Sequence, residues 1–154
     1  MKGPVAVDAN LLLLLIVGSA SPAYIAQHKR LRDVYTEDDL SKLVELLGEF
    51  SDIVLLPNTL TEASNLLRYI AEPARTAVLH QMRQLVRTGT EQFIPSATGV
   101  ARVEFLALGL TDAVLLELSS VEVDDRPTLM TVDLDLAIAA EMRGYRVMNF
   151  NHYR

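Results

Sequence analysis

Val5-Ala6-Val7-Asp8-Ala9-Asn10 runs directly into the apolar stretch Leu11–Val17. A short run of small and β-branched residues closes on one carboxylate, and a helix-like apolar run follows. In an open α/β sheet, chemistry sits beyond the carboxyl ends of parallel strands. A strand ending in Asp8 therefore delivers a carboxylate to such an edge. Three more acids, Glu62, Asp112 and Asp133, each stand beside a strand or helix signal compatible with convergence on the same edge.

Outward from that stretch, strand and helix signals alternate. Residues 4–8 read as the first strand and Asn10–Val17 as a short helix, with Gly18, Ser19 and Ala20 expected to break it. Ser21-Pro22 reads as an N-cap followed by Pro at the first helical position, opening a helix to about Val34. Thr36-Glu37-Asp38-Asp39 is a capping-box pattern with acids in the first turn. Leu40, Leu43, Val44, Leu47 and Phe50 form the apolar stripe of the helix it opens. Asp52–Leu56 is a second strand, stopped by Pro57, and Thr59–Ile70 a helix carrying Glu62. Pro73 restarts the chain into a helix to about Arg87, with Val78, Met82, Leu85 and Val86 facing inward. Glu91–Pro95 is a weaker third strand and Thr98–Leu108 a helix. Gly109-Leu110-Thr111 breaks and caps, placing Asp112 in the first turn of the next helix. Val123–Pro127 is a polar turn, and Pro127–Val132 a fourth strand leading into Asp133. A helix containing Ala137, Ala140 and Met142 stops at Gly144, and Tyr145–Phe150 closes the chain as a fifth strand. The pattern predicts an α/β fold: a single domain over 1–154, built on a central parallel five-stranded sheet with helices on both faces.

The length of 154 residues suits one domain. Half the residues are apolar and mean hydropathy is +0.22, as expected for strands buried on both faces or for a subunit interface. With no cysteine there is no disulfide, thiolate metal site or cysteine nucleophile. The longest apolar run, Leu11–Val17, is too short to span a bilayer, and the N-terminus lacks a signal-like pattern. A soluble, unprocessed, cytoplasmic protein with no membrane partner is expected. The formal net charge of −6 argues against a general nucleic-acid coat protein, which carries a basic face. It leaves room for an enzyme that recruits divalent cations and touches a few phosphates.

Each acid has a structural reading beside the functional one. Asp8 and Asp133 fit helix N-caps, and Asp112 fits a first-turn acid answering the helix dipole. Glu62 is the least explained: it shares a helical face with Leu66 and Tyr69, which turns it toward the apolar side, where a charge needs a partner or a cation. As a group the four are harder to dismiss, because a parallel topology brings them to one edge. Clustered carboxylates raise one another's pKa, and Mg²⁺ or Mn²⁺, which take oxygen ligands, offset the repulsion. A cation so held can generate hydroxide and stabilise a phosphoryl oxygen, which points to phosphodiester hydrolysis.

The segments VAVDANLLL, PNTLTEASNLL, LGLTDAVLLELS and TLMTVDLDLAIAAEMRGYRVMNF together resemble a PIN domain, and specifically ribonuclease toxins of the VapC type. The resemblance covers most of the chain and is strongest in the last segment, where Thr-x-Asp-x-Asp-Leu precedes a helix, Gly and a closing strand. It implies a single PIN-like domain, an acidic quartet at Asp8, Glu62, Asp112 and Asp133 acting as metal ligands and catalytic residues, and Mg²⁺- or Mn²⁺-dependent cleavage of RNA. It places Asn10, Thr131 and Asp135 close to that site as assisting residues. It also implies a homodimer and an antitoxin partner. The chain departs from a minimal PIN domain in its long region from about Ser21 to Phe50 and in its acidic balance.

The basic run His28-Lys29-Arg30-Arg32 reads as a solvated helix face or as phosphate contacts, with Arg68, Arg75, Arg83 and Arg87 as alternative contacts. His28, His80 and His152 show no metal spacing. Two rival classes remain. One is a PIN-like module that binds RNA or protein without turnover. The other is a phosphotransferase of the haloacid-dehalogenase type, which needs a second acid two residues after the first, where this chain has Asn10. A receiver domain fails as well, since the second strand ends in Leu56-Pro57 rather than Asp.

Overall fold

A computed structural model describes residues 2–120 and 125–154. Val123 and Asp124, at the start of the expected polar turn, lie outside them. Five strands, β1 (Val5–Val7), β2 (Ile53–Leu55), β3 (Thr90–Glu91), β4 (Thr128–Thr131) and β5 (Val147–Asn149), form one sheet in the order β3-β2-β1-β4-β5. Every pairing is parallel, with Val5 opposite Ile53 on one side and Val7 opposite Met130 on the other. The α/β class and the five-stranded parallel sheet are as the sequence predicts.

The two-residue period of a strand divides β1 between two cores. Val5 and Val7 join Leu55, Met130 and Phe150 in one. Ala6 joins Val54, Leu56 and Leu129 in the other. The first core is covered by α1 (Ala9–Ala20), α2 (Glu37–Leu47), α3 (Pro57–Leu67) and α4 (Ala74–Thr88). The second is covered by α7 (Leu110–Leu118) and α8 (Leu134–Met142), with the short α5 (Ser96–Val100) and α6 (Phe105–Leu108) beside α7. Helices thus lie on both faces, which is why so many strand residues are apolar in succession. Among the described residues no helix is long and apolar enough to cross a membrane.

The chain starts in the middle strand, works outward through β2 and β3, then returns to the opposite side of β1 for β4 and β5. The direction of winding reverses between β1 and β4. Such a switch point leaves a crevice outside the carboxyl ends of the two strands, and Asp8 and Asp133 are the residues that follow or nearly follow those ends.

Several local expectations are corrected. Gly18 does not break α1, which continues to Ala20. A Cβ at position 18 would lie 2.5 Å from a Leu40 methyl, so this glycine admits α2 against α1. Ser21-Pro22 opens no α-helix: Pro22–Ala26 is 3-10 and Ser21 makes no side-chain cap. Ile25, His28 and Leu31 are buried at three-residue steps, with His28 N–H donating to Ile25 O and Leu31 N–H to His28 O. Four-residue bonds run beside these, from His28 N–H to Tyr24 O, Arg32 N–H to His28 O and Tyr35 N–H to Leu31 O, so beyond Ala26 the segment is a mixed run of turns rather than one α-helix. The Thr36–Asp39 capping box forms in both directions. On α2, however, Val44 is half exposed and Leu46 takes its place in the core. Val86 likewise faces solvent on α4, while Val78 is fully buried. The third strand is only Thr90–Glu91, prolonged by Gln92 N–H donating to Leu55 O. It is an exposed edge, and Pro95 cannot donate to a ladder. The helix expected over Thr98–Leu108 is split into α5 and α6, and between them Arg102 turns in to Glu104, Glu117 and Tyr145.

Candidate functional site

The crevice at the switch point is a cleft of about 420 Å³ whose lining includes Asp8, Asn10, Glu62, Leu66, Gly109, Thr111, Asp112 and Asp133. The four acids singled out in the sequence meet there.

Asp8 is almost fully buried. Its Oδ1 accepts from Leu11 N at 2.9 Å, capping α1. Its Oδ2 accepts from Val132 N at 2.9 Å and from the Thr131 hydroxyl. Burial pushes its carboxyl above the ordinary range; the bonds from Thr131, Leu11 and Val132 pull the other way, and the charge of Asp133 adds to the rise. Thr131 Oγ1 also accepts from Asp133 N at 3.0 Å. Asp133 in turn caps α8, its Oδ1 accepting from Leu136 N at 3.1 Å. One fully buried hydroxyl therefore ties the Asp8 carboxylate to the Asp133 main chain across the β1–β4 boundary.

The opposite wall comes from α3 and α7. Gly109 sits at φ 87°, a left-handed conformation suited to glycine, and turns the chain out of α6 and into α7. Asp112 follows in the first turn of α7, half buried, and among the described residues no hydrogen bond reaches its carboxyl. Its pKa is pushed up to about 7, first by burial and then by the charges of Asp133, Asp8 and Glu62. All three other acids thus bear on Asp112 electrostatically.

Glu62 is exposed, which corrects the expectation that it turns to the apolar side: Ala63 and Leu67 make the buried face of α3, and Glu62 opens into the cleft. Its Oε1 accepts from Thr111 Oγ1 at 2.7 Å. Thr111 was expected to cap α7, but it makes no such cap and holds Glu62 instead. A hydroxyl immediately before an acid in a helix's first turn was the available signal for it. Of the assisting residues, Asn10 lines the cleft, Thr131 stands behind Asp8, and Asp135 is exposed and outside the lining.

The basic run is not a uniform face. His28 is fully buried. Its Nδ1 accepts from Arg30 N at 3.1 Å, which leaves Nε2 to donate to Leu66 O at 3.0 Å. Burial lowers its pKa, and a ring that accepts at Nδ1 while donating from Nε2 carries a single proton. Lys29, Arg30 and Arg32 are exposed, and Arg30 lies over the Tyr69 ring, 4.6 Å from its centroid.

Among the described residues no three Asp, Glu or His side chains stand together as a ready-made cation cage. The donors at the cleft are all oxygen, and one of them, the Asp112 carboxyl, is disfavoured as an anion first by burial and then by its three neighbours. That chemistry fits a hard divalent cation. Comparison of the chain with protein-family models, curated proteins and solved structures returns no match.

Proposed function

We propose that the protein is a PIN-like, Mg²⁺- or Mn²⁺-dependent endoribonuclease that hydrolyses RNA phosphodiester bonds in the cytoplasm. The observation that carries this reading is the meeting of Asp8, Glu62, Asp112 and Asp133 at the switch point, with Asp112 raised to about 7 by burial and the other three charges. Those four side chains would hold the cation. When bound, it supplies the activated water and charge stabilisation for phosphoryl transfer. The chain's own contribution is orientation and proton control. Thr131 and the amides of Leu11 and Val132 fix Asp8, and Thr131 with the α8 cap fixes Asp133. Thr111 steadies Glu62, and Asp112 keeps a carboxyl proton to near-neutral pH until positive charge replaces it.

Asp112→Asn is expected to abolish RNA cleavage in Mg²⁺ or Mn²⁺ while circular dichroism and elution volume stay unchanged. Cleavage at the wild-type rate would overturn the assignment. The absence of a ready-made cage among the described residues favours a second reading, a PIN-like module that binds RNA or protein without turnover. Wild-type protein that binds RNA but shows no metal-stimulated cleavage would establish it.

We further propose the toxin role, with an antitoxin partner and a homodimeric state. An adjacent gene for a small DNA-binding protein would support the first. The second is supported by Leu134, Ile138 and Met142, four residues apart on α8 and all exposed, an apolar stripe of the kind that marks interaction surfaces. Sedimentation equilibrium at micromolar concentration is expected to give twice the 17.1 kDa chain mass, and a monomer's mass would contradict it.

A further inference from the structure

Next to the acid cleft lies a second pocket of about 350 Å³, and the two share Glu62 and Thr111 as a common wall. The rest of its lining is of two kinds. Pro57, Phe93 and Ile94 are apolar, and Asn58, Thr61 and Ser96 are polar. Phe93 is 77% exposed, unusual for the largest aromatic hydrocarbon side chain in a protein whose other phenylalanines are at least partly covered. It stands just beyond the short edge strand β3, two residues before Pro95. Among the described residues the side chains of Asn58, Thr61 and Ser96 make no hydrogen bond within the protein.

An open aromatic face beside uncommitted amide and hydroxyl groups matches one class of ligand well. A flat, π-faced heterocycle with donors and acceptors on its edge would stack on the ring and bond to the polar groups. Asn carries both donors and an acceptor, and each hydroxyl is both. At about 350 Å³ the space is at the small end of ligand pockets, suited to one planar group. The shared wall puts that group next to whatever phosphate occupies the acid cleft.

We propose that this pocket takes one unpaired nucleobase of the strand being cleaved, stacked on Phe93 and read along its edge by Asn58, Thr61 and Ser96. The inference rests on the nuclease reading and adds to it a base-binding subsite and a source of base preference. Base pairing would occupy the edge and stacking in a duplex would occupy the face, so a paired nucleotide cannot enter.

The test uses the full chain in EDTA, so that binding is read without turnover. Fluorescence anisotropy with short unstructured RNA strands, one for each base, compares wild type, Phe93→Ala, Phe93→Trp and Asn58→Ala. Phe93→Ala is expected to weaken single-strand binding by roughly 5- to 150-fold, the range that base–aromatic stacking spans. Phe93→Trp should restore it, a recovery that generic damage would not show. Asn58→Ala should flatten the differences among bases, and matched duplex RNA should bind all four proteins alike. A DNA strand of the same sequence carries the same bases and shows which backbone the pocket accepts; Phe93-dependent binding of either strand bears the proposal out. Equal affinity of wild type and Phe93→Ala for every strand overturns it, leaving the exposed ring to a protein contact, and so does absence of single-strand binding by wild type. The two readings separate cleanly. Phe93-dependent binding without Mn²⁺-stimulated cleavage removes the nuclease and keeps the pocket. Cleavage by wild type with unaltered binding in Phe93→Ala removes the pocket and keeps the nuclease.

Discussion

On one wall of the cleft, Asp8 and Asp133 follow β1 and β4 and cap the helices behind them, both tied to the single hydroxyl of Thr131. On the other wall, Glu62 and Asp112 ride on the outer turns of α3 and α7. There the only hydrogen bond to a carboxylate among the described residues comes from Thr111. The first wall is part of the fold: its carboxylates satisfy backbone amides that would otherwise be left without acceptors. The second is mounted on the fold and can adjust without disturbing it. For the cation site proposed above, one wall of each kind would combine accurate placement of oxygen ligands with room to adjust.

The largest expected effect joins the two walls. Millimolar Mn²⁺ should raise the melting temperature of wild type by several degrees, since a cation that binds only the folded chain stabilises by about 2.7 kcal/mol at a hundredfold excess over Kd. Asp8→Asn should lose most of that gain. Differential scanning fluorimetry with and without metal reads both, and equal shifts in the two proteins would mean that Asp8 is not a ligand.

Single-site variants on opposite walls sharpen the contrast. Thr131→Val removes a donor from the buried Asp8 carboxylate and should destabilise by about 1–3 kcal/mol, the usual consequence of leaving a buried polar group short of a partner. Glu62→Gln, at an exposed position, should stay within about 0.5 kcal/mol of wild type while reducing the Mn²⁺ shift. Urea unfolding in EDTA measures both stabilities, and scanning fluorimetry with Mn²⁺ measures the shift. If the two variants were equally destabilising, the distinction between the walls would fail.

The smallest effect is in the pH dependence. The ordinary Asp value of 3.8 describes the unfolded chain, while in the folded chain Asp112 is raised to about 7 and Asp8 is raised as well. Within that window the folded protein binds more protons than the unfolded one, so stability contributed by the raised groups is present at the acid end and is lost as pH rises. The metal-free melting temperature should therefore fall as pH climbs toward 7, and Asp112→Asn should flatten the upper part of the fall. A melting temperature that instead rose through this window because of these two groups would contradict the cluster.

The parts legible in the sequence were those written locally. A β-type run ending in Asp8 and Thr131-Val132-Asp133 before a helix each fix a strand end, a cap and a carboxylate within a few residues. The capping box at Thr36–Asp39 is equally self-contained. What sequence reading missed depends on distant neighbours. Gly18 reads as a breaker until Leu40 is seen packed where its Cβ would be. His28 reads as part of a basic face until Leu66, far along the chain, receives its ring N–H. Glu62 reads onto the apolar face as long as Leu66 and Tyr69 count as core, whereas Tyr69 is exposed and Leu66 only partly covered. The pocket containing Phe93 left no periodic trace, since its residues come from α3, α7 and an irregular edge.

The segment between α1 and α2 has a consequence for how this chain tolerates change. His28 donates its ring N–H to Leu66 O, and Lys29 donates its backbone N–H to Tyr69 O at 2.9 Å. These carbonyls lie at and just past the C-terminal end of α3, where a helix runs out of its own donors. The segment thus finishes a helix that begins more than twenty residues later, and that helix carries Glu62. Loop grafting or trimming between Pro22 and Tyr35 would consequently act on the acid cleft from behind, by fraying the far end of its wall. In engineering terms this stretch is a foundation of the site rather than surface that can be shortened at will.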